Sequence, residues 1–307
     1  MTAALRRAAE TLLVLLVLSV LTFLLTSLAP GDPAEDILRR GGIQPTAESV
    51  AVLRGELGLD QPLFTQYLRW LLGVLRGDFG RSHVDRAPVA AEILSRVPAT
   101  LRLAGTASLI AVGLAVLISV RAALRPRALD SRIARVVMVA VAAVPPYISG
   151  ILLISVVAVG MRVLPTGGAA SPGAVILPAL TLGLAGTATL LRLLAADLAA
   201  VARQPFVKLA VAKGLTARRT VVVHMLRVAA PGAITAAGVV LTELLAGAVI
   251  VETLFAWPGV GQLAVAAIRQ RDIPIIQAYV LLTALATALV LALADLCASA
   301  ADPRMRR

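Results

Sequence analysis

Apolar runs long enough to cross a membrane recur six times along the chain, near 8–28, 98–120, 135–160, 175–198, 228–251 and 277–299. About 20 residues, rising roughly 1.5 Å each, span the ~30 Å hydrocarbon layer. A segment alone in lipid must satisfy its own backbone, so each run is expected to be a helix. The pattern therefore predicts an all-α integral membrane protein with six transmembrane helices. Between the runs, LFTQYLRWLLGVLRG at 63–77 places apolar residues at helical spacing with Tyr67 and Trp70 among them. That arrangement suits a helix lying at the outer interface. PVAAEILSRVP at 88–98 begins with a proline suited to a first helical turn and sets Glu92 four residues before Arg96, a supportive pair on an exposed face. Pro98 can then open the second span.

Composition agrees with the pattern. Of 307 residues, 59% are hydrophobic and only 15% charged, against roughly 45–50% and about 25% in soluble domains. The net charge of +12 would suggest nucleic acid in a soluble protein, but aromatics for stacking are only 3%. In a membrane protein the excess of Arg has another cause, because cytoplasmic loops collect positive charge. Cys297 is the single cysteine and excludes an internal disulfide or a thiolate metal cluster. Arg6 and Arg7 with Ser27-Leu28-Ala29 could imitate a secretory signal. The apolar run exceeds the usual ~7–15 residues, so an uncleaved first span is expected.

The charges orient the spans. Segments 1–7, 121–134, 199–227 and 300–307 are rich in Arg and Lys, while the opposite short loops hold only Arg162, Arg269 and Arg271. Both termini are therefore expected in the cytoplasm. The long stretch at 29–97, whose arginines are nearly matched by acids, becomes an extracytoplasmic loop between helices 1 and 2.

One cytoplasmic loop stands out. KLAVAKGLTARRTVVVHMLR at 208–227 holds Lys208 and Lys213, the only lysines, with Arg218, Arg219 and Arg227. Pro205 suits the first turn of a short helix, with Phe206, Leu209, Ala210 and Lys213 following on one face. Gly214 can cap that helix in the left-handed conformation, and Thr216 can N-cap a second helix feeding the fifth span. Such a knob exposes apolar residues and suggests a docking surface; the alternative is a basic loop touching lipid headgroups.

Catalytic chemistry is thin. Neither lysine follows a glycine, so no P-loop is present and the chain is not expected to hydrolyse ATP itself. His83 and His224 fall on opposite sides of the membrane and cannot share a metal site. Charged residues within spans invite functional readings. Glu243, in the middle of the fifth span, either lines an aqueous pathway or pairs inside the bundle. Glu252, at its outer end before the FAWPG turn, either packs that turn or, by the family resemblance set out below, shapes an outer gate. Pro145 and Pro146 should break the third span, bending a pathway wall or serving packing. A secondary transporter would show inverted repeats and midplane ligands on broken helices, and neither is visible. A membrane-embedded enzyme would need paired carboxylates or metal spacing within the spans, which the sequence lacks. A pure scaffold subunit remains a third reading.

VKLAVAKGL at 207–215 resembles the cytoplasmic Glu-Ala-Ala, three residues, Gly pattern of permease subunits of binding-protein-dependent ABC importers. It keeps Ala210 and Gly214 and departs at Lys208 and Leu209. LAPGDPA (28–34), LGLDQPL (57–63), QYLRWLLGVLRGDFGRS (66–82), RVPATLRL (96–103), LPTGG (164–168), VETLFAWPGVG (251–261), RDIPIIQ (271–277) and DPR (302–304) follow in family order. Together they resemble the first of two permease subunits in the dipeptide, oligopeptide and nickel branch. The resemblance implies a first helix plus extracytoplasmic loop at 1–96 and a permease core at 97–302. It implies a second homologous permease, two cytoplasmic ATPases carrying ATP and Mg, and an extracytoplasmic substrate-binding protein. This chain itself would bind no cofactor. The helix between spans 4 and 5 would couple to an ATPase through Phe206, Lys208, Leu209, Ala210, Lys213, Gly214, Arg218 and Arg219. Cargo would be a peptide, with nickel or a metal chelate as the alternative.

Overall fold

The computed structural model describes residues 3–28, 31–125, 129, 133, 136, 137, 140 and 144–301. Among them the only strand-like pairing is an isolated bridge between Arg81 and Pro88, and nearly everything else is helical. Five helices are long and apolar enough to cross a membrane: Ala9–Ser27, Val89–Leu124, Pro172–Ala202, Ala217–Leu254 and Ile273–Ala301. They coincide with the expected first, second, fourth, fifth and sixth runs. The third expected run, 135–160, lies partly outside the described residues. Its second half is an apolar helix, Pro146–Gly160, that on its own is shorter than a span.

The chain divides into two compact units, one of residues 1–97 and 263–286, the other of residues 98–262 and 287–307. In the first unit, α1 (Ala3–Ser27) is followed by α2 (Pro33–Arg40), α3 (Ala47–Leu57) and α4 (Leu63–Leu75). Local chemistry sets these boundaries. Asp32 accepts from the Ala34 amide at 2.9 Å ahead of Pro33, and Thr46 with Ser49 forms a reciprocal capping box. Tyr67 and Trp70 turn toward α1 rather than outward. Phe23 meets Tyr67 edge-on at 5.5 Å and Trp70 at 5.8 Å, and the Tyr67 hydroxyl is 2.8 Å from Ser19 Oγ. The aromatics expected at the interface thus fix α4 to α1, while Phe64, Leu68, Leu72 and Leu75 form its exposed apolar face.

Pro98 does not end a helix. A single helix α5 runs Val89–Leu124 through it, so the short helix expected at 88–98 and the second span are continuous. Proline removes one rung of the ladder without forcing a stop. Glu92, expected to pair on an exposed face, instead has its Oε2 buried without a hydrogen-bond partner.

The second unit gathers around α5, α6 (Pro146–Gly160), α7 (Pro172–Ala202) and α9 (Ala217–Leu254), with α8 (Pro205–Ala212) between the last two. Leu103, Ala107, Ala111 and Ala115 recur every fourth residue on α5 and are buried, as are Val240, Leu244, Ala248 and Val251 on α9. The small residues allow close packing: a Cβ at Gly183 would lie 2.8 Å from the Ala107 carbonyl oxygen. Helices α10 (Val260–Arg269) and α11 (Ile273–Ala301) complete the chain's described elements and run from one unit's residues into the other's.

Candidate functional site

Two local constructions in the second unit carry most of the residues singled out from sequence. The first is α8 and its exit. Pro205 occupies the first turn, as its fixed φ and missing N–H favour. Gly214, at φ +78°, donates to the Val211 carbonyl, and Leu215 donates to Ala210 at 3.1 Å. That pair of bonds is a Schellman cap, and its left-handed residue explains the glycine. Thr216 then accepts from the Arg219 amide at 3.3 Å and starts α9. The next turn, Thr220–Met225, opens into a π-helix containing His224.

The faces of α8 divide differently from expectation. Phe206 and Val207 pack on a cluster built from Leu194, Leu198, Val201, Val221, Met225 and Ala229, and Ala210 is buried. Phe206 and Ala210 therefore anchor the helix. Leu209 and Val211 are 56% and 61% exposed, beside exposed Lys208, Lys213, Arg218 and Arg219. An anchored helix thus presents two aliphatic side chains ringed by cations. Val211 was absent from the residues expected there, because the sequence does not say which flank of a two-turn helix is covered.

The second construction surrounds Glu252, which is 0% exposed. Its carboxylate accepts from Thr100 Oγ1 at 2.6 Å and from the Gln262 amide at 3.0 Å. Thr100 in turn accepts from the Val260 amide at 2.9 Å. Threonine and glutamate together satisfy donors of the first turn of α10, where the helix dipole also favours negative charge. Glycine suits position 259, since a Cβ there would fall 2.1 Å from Glu252 Oε1 and would push the carboxylate out of place. Trp257 is buried, donates from Nε1 to the Ala99 carbonyl at 2.9 Å, and lies under Arg102 at 5.7 Å. Gly168 donates to the Phe255 carbonyl at 2.8 Å. Three distant sequence stretches, 99–102, 167–168 and 252–262, therefore meet at one turn. Thr100, Trp257, Gly167 and Gly168 escaped the sequence reading as site residues, although RVPATLRL, VETLFAWPGVG and LPTGG contain them.

Glu243 is elsewhere. It is exposed on α9, on a stripe with Thr235, Val239, Ala246 and Ile250, all exposed at helical spacing. Pro145 is extended (φ −55°, ψ 140°) and α6 begins at Pro146, so regular helix starts afresh at this pair. Among the described residues no group of three or more His, Cys, Asp or Glu could hold a metal ion.

Residues 111–307 match the family described as binding-protein-dependent transport system inner membrane component, and residues 1–104 match its N-terminal companion family. The chain is 38% identical to the glutathione transport system permease protein GsiC of Salmonella paratyphi A over 292 residues, covering 95% of this chain and 94% of that protein. The Escherichia coli K12 protein of the same name is 37% identical with the same coverage. A solved structure of the MetNI methionine ABC transporter, in an inward-facing conformation, is similar in fold: TM-score 0.59 at 16% identity, over 68% of this chain and 96% of that one.

Proposed function

Because the chain belongs to the binding-protein-dependent transport system inner membrane components, as a permease of the peptide and nickel branch of ABC importers, we propose that it forms half of a peptide translocation pathway. The other half is a second homologous permease. Two cytoplasmic ATPases, holding ATP and Mg, drive the pair, and an extracytoplasmic binding protein delivers cargo. In this reading six helices cross the bilayer, residues 135–160 supplying the third. Both termini lie in the cytoplasm and 29–97 lies outside, as the distribution of arginine supports. The names of the relatives favour a glutathione-like peptide over nickel or a metal chelate as cargo.

The observation that carries the reading is the geometry of α8. Phe206, Val207 and Ala210 hold it to the core of α7 and α9, so force on its outer face reaches the spans. Leu209 and Val211 supply the apolar contact for an ATPase groove, and Lys208, Lys213, Arg218 and Arg219 supply the polar rim. The Glu243 stripe of α9 lines the aqueous pathway, because lipid is a costly neighbour for a carboxylate in mid-span.

Leu209→Asp tests the docking role. Burying a leucine is worth about 1.5–3 kcal/mol, so its replacement by a charge should reduce ATPase co-purification and ATP-driven uptake by about tenfold or more. Membrane insertion should be unchanged. Full uptake with full ATPase retention would remove α8 from the coupling path.

A further inference from the structure

We propose that a cavity in the first unit binds an anionic phospholipid of the outer leaflet, with the phosphate at Arg40 and Arg69 and an acyl chain against the end of α1. The cavity, of about 890 Å³, is lined by the last turns of α1, by α2 to α4, and by the first turn of α11. This size is ordinary for a ligand site. It rests on the topology proposed above, which places these turns at the outer surface.

Charge is the first argument. Arg40, Arg54, Arg69 and Arg271 line the cavity against two carboxylates, Asp32 and Asp36. Asp32 is 2.9 Å from Arg54, and Asp36 is 4.0 Å from Arg271. The hydrogen bonds of the other two arginines go to neutral oxygens: Arg40 to the Gln270 carbonyl, and Arg69 to Gln61 Oε1 at 2.7 Å. Two cations thus face the space without neutralisation from those bonds. A guanidinium fork suits a phosphate. His83 lines the same cavity, and burial lowers its pKa, so the positive charge of the cavity rests on the arginines.

The apolar lining selects a lipid over a soluble anion. Phe23 and Leu25 come from the last turns of a membrane-crossing helix, Ile273 and Ile276 from the first turn of another, and Trp70 from α4. An amphiphile matches a cavity lined both by apolar turns of membrane-crossing helices and by arginines. Basic pockets beside transmembrane helices take lipid headgroups on this principle.

The test uses the full-length protein in nanodiscs, with lipid retention read by native mass spectrometry. The probes are phosphatidylglycerol and phosphatidylcholine, with inorganic phosphate and glutathione as free anions. Phosphatidylglycerol should be retained over phosphatidylcholine, and R40Q/R69Q should reduce that preference by about tenfold. R40K/R69K should keep part of it, since charge remains while the fork is lost. On the wild-type protein the preference should weaken as salt is raised, which needs no variant to fold. Equal retention of both lipids, no salt dependence, or displacement by phosphate or glutathione without lipid preference would each overturn the proposal. Uptake measured on the same variants separates this from the transport reading: lost lipid preference with intact uptake leaves the importer assignment standing.

Discussion

The Thr100 hydroxyl donates to the Glu252 carboxylate at 2.6 Å across 152 positions of sequence. The bond ties the second transmembrane helix to the turn after α9, and a fully buried carboxylate would be costly there without such donors. Thr100 also accepts from Val260, so one side chain serves both partners. Removing it takes one donor from Glu252 and the side-chain acceptor from the Val260 amide.

Thr100→Val should therefore lower the stability of the detergent-solubilised protein by about 2–4 kcal/mol, more than an isolated buried threonine would. In a double-mutant cycle with Glu252→Gln, a coupling of about 0.5–3 kcal/mol is expected. Additive losses in thermal or denaturant unfolding would show that the two side chains act independently.

Glu243 yields to a chemical measurement. In a Cys297→Ser background, Glu243→Cys should react with a membrane-impermeant, water-soluble thiol reagent in the assembled importer, and Val240→Cys on the buried flank should not. Modification should slow when transport is arrested, because the pathway then admits water from only one side. Protection of both positions in every state would place the stripe against protein instead of water.

The 29–97 region should carry a pH dependence through His83. Burial, aided by Arg86 and Arg40, holds its pKa below the usual 6.5, against the opposing pull of Asp272. The unfolded state then binds the proton more readily than the folded one. Stability is fully present above the ordinary pKa and is lost as pH falls below it. Limited proteolysis of the 29–97 region should accelerate between about pH 7.5 and 5.5, and His83→Asn should flatten the change. An unaltered pH profile in the variant would assign the effect to other groups.

What the sequence made legible was local or periodic. Apolar length marked five of the observed helices, Pro205 marked the start of α8, and Gly214 and Thr216 marked the turn beside it, because each rests on neighbours in the chain. What escaped it was tertiary. Pro98 reads as the opening of a new helix, yet a single helix runs through it. Tyr67 and Trp70 read as an interface belt, yet Phe23 and Ser19 on α1 claim them. Phe206 and Ala210 share a face with Leu209 on a helical wheel, but only contact with Val221 and Met225 decides which side is covered. The meeting of Thr100, Gly168 and Glu252 has no local signature at all.

The central claim is that α8 transmits work done elsewhere, and its Schellman exit is the most direct place to press it. Gly214 sits at φ +78° and a Cβ added there would meet open space, so substitution acts through backbone conformation and not through a clash. Asparagine tolerates this region better than valine, and a left-handed non-glycine residue costs roughly 1–2 kcal/mol. ATP-driven uptake of a labelled peptide should fall in the order wild type, Gly214→Asn, Gly214→Val, with equal membrane insertion and progressively weaker ATPase retention. Uptake by Gly214→Val equal to wild type would contradict the account.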